Sequence, residues 1–178
     1  MQVVTRTIDS PLGGLIAGAS PDGICLLEFP EPDRLEPQLQ TIRRRLACTI
    51  EPGDSRHLDR LEQELARYFA GTLSAFTVPL VMRGTPFQER VWSELQRIPY
   101  GRTRSYEELA RAIGAPGAPR AVGQANGMNP VAIVVPCHRV INKNGGLGGY
   151  GGQLWRKEQL LQLEGAPGSL KASGYLFC

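Results

Sequence analysis

The chain has no apolar run approaching the roughly 18 residues that a bilayer-spanning helix needs. Its start, Met1-Gln2-Val3-Val4-Thr5-Arg6, lacks the charged-then-apolar layout of a signal peptide, so the cytosol is the expected location and no membrane the expected partner. Cysteine and histidine are scarce. Cys25, Cys48, Cys137 and Cys178 are scattered without a C-x-x-C pair, and only His57 and His138 could add nitrogen ligands. That scarcity excludes a disulfide scaffold and argues against a structural zinc site, with reduced thiols as the expectation. No internal repeat is present, and neither charge sign dominates: 20 Lys and Arg against 17 Asp and Glu give +3. With 42% hydrophobic and 21% charged residues, the composition excludes a disordered or collagen-like chain.

What is present is an asymmetry. Residues 1–82 hold 8 Lys/Arg against 11 Asp/Glu, net −3, whereas residues 83–178 hold 12 against 6, net +6. The length of 178 residues allows two small domains. A scaffold domain over 1–82 is therefore expected, then a basic domain over 83–168 that faces a polyanion, then a tail over 169–178.

The two halves also differ in texture. Residues 2–9, 15–19 and 24–29 read as strands separated by the turns Ser10-Pro11-Leu12-Gly13-Gly14 and Ser20-Pro21-Asp22-Gly23, an antiparallel meander. Residues 33–46 read as a polar helix, 48–50 as a short strand and 76–80 as a last extended piece. Between the last two, residues 55–70 place Leu58, Leu61, Leu65, Tyr68 and Phe69 on one helix face, with Gly71 as the stop. Beyond Arg83-Gly84-Thr85-Pro86 the pattern turns helical, and Phe87, Val91, Trp92 and Leu95 share a face. Ser105-Tyr106-Glu107-Glu108 is a capping box opening a helix over 106–113, and a glycine-containing turn leads to another over 119–127. That pair outlines a helix-turn-helix. The apolar run 131–135 then delivers the chain to Pro136-Cys137-His138-Arg139, and a final helix spans about 154–164.

Two segments carry the chemistry. Residues 121, 123, 125 and 127 are all Ala or Gly, which costs roughly 1 kcal/mol per glycine in a helix. Such small side chains admit close approach of either a packed helix or a nucleic-acid groove. Arg120, at the helix start, is opposed by the helix dipole and asks for an anionic neighbour or a base stack. In the second segment, a cysteine following an apolar run reads first as an inert buried thiol. Pro136, which interrupts strand bonding, and the polar pair His138-Arg139 favour a nucleophile instead. A free thiol with a pKa near 8.5 is only about 3% thiolate at pH 7, so Cys137 would need a base. Neighbours on a strand point apart, so His138 could serve it only through a turn or a bridging water.

Pro136-Cys137-His138-Arg139-Val140, together with Arg120-Ala121-Val122-Gly123, Asn129-Pro130 and the approach Ile98-Pro99-Tyr100-Gly101…Ser105-Tyr106, resembles the O6-alkylguanine-DNA alkyltransferases, also called methylated-DNA–protein-cysteine methyltransferases. The resemblance is collinear from about Phe87 to Gly165. It implies an N-terminal RNase H-like mixed sheet with helices, and a C-terminal helical domain with a winged helix-turn-helix-like DNA-binding motif. The implied activity is irreversible transfer of the alkyl group from O6-alkylguanine, and from O4-alkylthymine, in duplex DNA to the protein's own cysteine, after the damaged nucleotide is flipped out.

The family's roles fall on this chain as follows. Cys137 is the acceptor, His138 its water-mediated base and Glu164 the carboxylate that orients the histidine. Tyr106, otherwise a packing aromatic, protonates the departing guanine, and Asn129 braces the turn that carries the nucleophile. Arg120 enters the base stack from the minor groove, while Ser105, Ala121 and Gly123 lie along the DNA. Val140, Tyr150, Gly151 and Gly152 form the base pocket, with Gly151 standing where some members have serine. No cofactor and no metal are implied, and the expected partner is double-stranded DNA bound by a monomer.

Rival readings are a damage sensor without chemistry, which would lack Cys137, a sequence-reading regulator, and a thiol hydrolase. Because Arg120 is assigned to the base stack and Arg139 to internal structure, the +6 should yield only moderate DNA affinity with a shallow salt slope.

Overall fold

Turn chemistry places the first three strands. In the computed structural model, which describes residues 1–167, β1 (Gln2–Ile8), β2 (Leu15–Ser20) and β3 (Gly23–Glu28) form the meander. The expected tail, with Cys178, lies outside the described residues. After α1 (Pro32–Leu46) the chain returns as β4 (Thr49–Pro52), parallel to β1, giving a mixed sheet of order β3-β2-β1-β4. Val3 of β1 packs with Ile42 of α1, whereas Arg6, on the opposite face, bonds Asp59 and Glu62 of α2 (Arg56–Phe69). The Ser55 hydroxyl caps α2, whose Leu58, Leu61, Leu65 and Tyr68 are all buried.

The extended piece over 76–80 pairs at one point. Leu80 makes only an isolated bridge to Ile24, flanked by Ile24 N donating to Pro79 O and Val81 N to Ile24 O, both at 2.8 Å. Pro79 has no N–H with which to extend the ladder.

The first compact unit comprises Met1–Gly84 together with Pro130–Ala132, and the second Thr85–Asn129 together with the chain from Ile133. Within the first, Leu27 on the edge of β3 donates to Pro130 O at 2.9 Å and accepts from Ala132 N at 2.8 Å. The apolar run 131–135 is consequently a single bridge followed by a turn, not a strand. Ile133 sits at φ +69°, a left-handed conformation that no strand contains.

In the second unit, α3 (Pro86–Leu95) starts at a Thr85/Gln88 capping box, with Pro86 where its missing N–H costs nothing. β5 (Arg104–Ser105) leads directly into α4 (Tyr106–Ala112), and α5 (Pro119–Gly127) follows. The Trp92 indole donates to Ala125 O at 2.8 Å, fixing α5 against α3. A 3-10 turn (Cys137–Arg139), β6 (Val140–Ile141) and α6 (Leu154–Leu163) complete the described chain. Among the described residues no helix is long and apolar enough to cross a membrane.

Candidate active site

Of the turn and the bridging water that could join His138 to Cys137, a turn is present. Pro136 ends the preceding segment, and the next three residues wind as a 3-10 turn with Arg139 N donating to Pro136 O at 3.0 Å. Two asparagines from the end of α5 hold this turn by the carbonyls flanking Pro136. Asn129 Nδ2 donates to Val135 O at 2.8 Å, and Asn126 Nδ2 to Cys137 O at 3.4 Å. Cys137 is buried, at 7% exposure.

His138 is fully buried, and its Nε2 lies 2.8 Å from Glu164 Oε1 at the C-terminal end of α6. Burial alone would push the Glu164 carboxyl up. Hydrogen bonds from His138 and Arg139 outweigh that effect and hold it well below the usual carboxylate range. An ionised carboxylate only accepts, so Nε2 carries the ring proton and Nδ1 presents its lone pair. Nδ1 is buried without a hydrogen-bond partner. Burial, with help from Arg139 and Lys157, lowers the His138 pKa despite Glu164, so the imidazole rests neutral. Gly101 N donates to Glu164 Oε2 at 3.3 Å. Here only glycine fits, since φ is +72° and a Cβ would meet Glu164 O at 2.8 Å.

Tyr106 reaches the same site by another route. β6 follows the Cys137–Arg139 turn and pairs in parallel with β5, Arg104 with Val140 and Ser105 with Ile141, so Tyr106 emerges beside the turn. Its ring lies against Gly123 of α5 and Gly148 of the glycine-rich loop. Burial, and then the nearby Cys137, raise the Tyr106 pKa, which keeps the phenol a proton donor.

Sequence reasoning missed Lys157. A lysine in a final helix reads as solvated, yet Lys157 is fully buried. Its Nζ donates to Val140 O at 2.6 Å, to Leu147 O and to Gly149 O at 3.2 Å. Burial pushes the ammonium down to about 8, opposed by the attraction of Cys137. Lys157 thereby ties the glycine-rich loop to Val140, the residue after the Cys137–Arg139 turn. The only available signal was its place one turn after the glycine run.

The remaining candidates are distributed differently. Ser105 is buried and occupied as the α4 cap, its hydroxyl accepting from Glu108 N at 3.1 Å. Arg120 and Ala121 are exposed on α5, which has no side-chain cap. Of the two uses the small residues allowed, close packing within the protein accounts for Gly123, which turns to Tyr106, and for Ala125, which is buried under Trp92. Residues two apart on a helix lie about 200° apart, so Gly123 faces away from Ala121 and Ala125. The Val140 carbonyl already accepts from Lys157, Gly152 O accepts from Arg156 at 3.0 Å, and Tyr150 and Gly151 are half-buried. Among the described residues no group of three His, Cys, Asp or Glu side chains is placed to hold a metal ion.

Residues 86–166 match the family model described as 6-O-methylguanine DNA methyltransferase, DNA binding domain. The methylated-DNA–protein-cysteine methyltransferase of Mycolicibacterium paratuberculosis is 49% identical over 166 residues, covering 89% of this chain and 90% of the relative. The constitutive enzyme of that name from Bacillus subtilis is 44% identical, covering 82% and 85%. Mycobacterium tuberculosis OGT, solved in complex with DNA, superposes with a TM-score of 0.78 at 47% identity, covering 96% of this chain and 98% of that one. The O6-methylguanine-DNA methyltransferase of Pyrococcus kodakaraensis, at 24% identity and a TM-score of 0.62, has the same fold over 92% of this chain and 99% of its own.

Proposed function

Since the chain belongs to the methylated-DNA–protein-cysteine methyltransferase family, we infer that Cys137 is the cysteine it alkylates. The protein repairs DNA by moving an alkyl group from O6-alkylguanine onto itself. In the step we assign, the Cys137 thiol gives its proton to His138 Nδ1 through a water, and the thiolate attacks the alkyl carbon. An S–C bond forms while the C–O6 bond breaks, its electron pair passing to the guanine ring. Tyr106 then protonates that ring, so neutral guanine departs. A thioether is not displaced under mild conditions, so each molecule acts once.

The observation that carries this reading is the 2.8 Å bond between His138 Nε2 and Glu164, which turns the Nδ1 lone pair into the base. The lesion must leave the duplex to meet a buried cysteine, so base flipping is part of the proposal, with Arg120 filling the gap. Its exposure at the start of an uncapped helix supports that role. The same pocket accepts O4-alkylthymine. A monomer in the cytosol completes the reading; among the described residues Cys25, Cys48 and Cys137 form no disulfide.

Duplex DNA carrying radiolabelled O6-methylguanine tests it. Label should move to the peptide containing Cys137, in at most one equivalent per protein. Cys137→Ser should abolish transfer and retain DNA affinity, because phosphate contacts supply most of the binding. Sustained turnover, or label on another residue, overturns the assignment.

A further inference from the structure

Glu164 serves more than the histidine. Arg139, the last residue of the nucleophile turn, donates from Nε to Oε2 at 2.8 Å and from Nη2 to Oε1 at 2.9 Å. Its third nitrogen, Nη1, donates to Ile98 O at 2.6 Å, and its guanidinium lies over the Tyr100 ring at 5.8 Å. Both side chains are buried, Arg139 at 8% and Glu164 at 0% exposure. Oε1 is therefore shared between the imidazole and a guanidinium.

We propose that Arg139 is a positioning residue that sets the base strength of His138, by engaging both oxygens of Glu164 so that the carboxylate orients the imidazole without holding a proton on it. The proposal rests on His138 being the base for Cys137.

The argument is one of charge in a dry site. A carboxylate alone beside a buried histidine favours imidazolium, which could not accept the thiol proton. A bidentate guanidinium neutralises that carboxylate while leaving it able to accept from Nε2. Among the described residues, the charged groups acting on His138 are Glu164 and Lys157 from α6 and Arg139 from its own turn, with the neighbouring Cys137 acting on Lys157. With Arg139 and Lys157 both cationic, a proton on Nδ1 is tolerated only once the Cys137 thiolate forms. Proton transfer and thiolate formation are thereby coupled. Lysine could supply the charge, but not two parallel bonds and the tie to Ile98.

The chain has only two histidines, His57 and His138, so histidine-selective 15N labelling resolves both. Tautomer and titration midpoint of His138 would be followed in the wild type, Arg139→Gln and Arg139→Lys, with thermal unfolding as the check on folding. The wild type should show the Nε2–H tautomer and a midpoint below about 6.5. In Arg139→Gln the midpoint should rise by about one unit or more, and the acid limb of methyl transfer should move with it. Arg139→Lys should give a rise of about half a unit, and it carries the test if the Gln variant does not fold. Unchanged His138 midpoints in the folded variants overturn the proposal. Methyl transfer to wild-type Cys137 is scored separately: its absence sinks the catalytic reading, whereas transfer with an unresponsive His138 sinks only the role of Arg139.

Discussion

Gly148 backs directly onto the Tyr106 phenol: a Cβ at that glycine would lie 3.2 Å from both the ring Cε2 and the hydroxyl oxygen. The contact joins the glycine-rich loop to the proton donor of the proposed reaction. Gly148 also sits at φ +69°, so any side chain there strains the backbone.

Gly148→Ala should therefore displace the phenol or the loop by a few tenths of an ångström. A narrowed pocket should penalise a large alkyl group more than a small one. Transfer of benzyl from O6-benzylguanine should fall about tenfold more than transfer of methyl, measured as single-turnover rates on the same DNA. Equal losses for the two substrates would place Gly148 away from the alkyl-binding wall.

Lys157 gives a prediction with a definite pH window. Its folded pKa is depressed to about 8 from 10.5, so between those values the unfolded chain binds more protons and stability rises with pH. The cost of the buried ammonium is present below about pH 8 and is relieved toward 10.5. Comparison with Lys157→Met cancels the opposite contribution of Cys25, whose thiol is pushed up to about 12 by burial. Urea unfolding at about pH 7.5 and about pH 10 should show the wild type gaining on the variant, by at most about 3 kcal/mol. The variant should also transfer methyl at least about tenfold more slowly, because the Val140, Leu147 and Gly149 carbonyls lose their common donor. A pH-independent difference would mean that burial does not depress the Lys157 pKa in the folded protein.

Lys157 also marks where the sequence stops being informative. The meander, the α2 face and the Ser105 cap were legible because strand alternation, helical period and capping are local patterns. The motif from Pro136 to Val140 was legible by resemblance. What was not legible depends on pairs distant in the chain. The burial of Lys157 follows from three carbonyls arranged by β6 and a glycine loop, and the bidentate grip of Arg139 from a carboxylate 25 residues away. The turn at Ile133 was equally hidden, since nothing local marks a β-branched residue for a left-handed conformation. Asn126, near the end of α5, carries no local sign that its amide will meet the Cys137 carbonyl.

Glu164→Gln should cost both stability and activity. It leaves the buried Arg139 without its anion, a loss of about 3–5 kcal/mol by the usual cost of breaking a buried pair. It also frees His138 to choose either tautomer, and methyl transfer should fall about a hundredfold. The folded pKa values of His138 and Glu164 are both depressed, so their contributions to stability are lost as pH falls, first below about 6.5 and then below about 4.3. Urea unfolding should show the wild type's advantage over the variant shrinking below about pH 4.3, the parallel contributions of Glu64 and Glu108 cancelling in the comparison. A variant as stable as the wild type at neutral pH would contradict the ion pair.

Arg120 separates insertion into the base stack from contact with phosphate. The side chain is exposed at the start of α5, where Pro119 and Ala118 provide no side-chain cap. If its guanidinium fills the gap left by a flipped nucleotide, it acts on the open state and releases no counterions from the backbone. Arg120→Ala should then slow transfer from duplex DNA by about tenfold or more, yet leave reaction with free O6-benzylguanine unchanged, since a free base needs no flipping. The slope of log affinity against log salt should be the same for variant and wild type. A phosphate contact predicts the reverse, a slope reduced by about 0.9 with transfer from duplex and free base nearly unchanged at saturation. Measuring the slope and the two rates on one pair of proteins decides between them. A wild-type slope equivalent to about ten phosphates would show that the +6 half of the chain works mainly by charge.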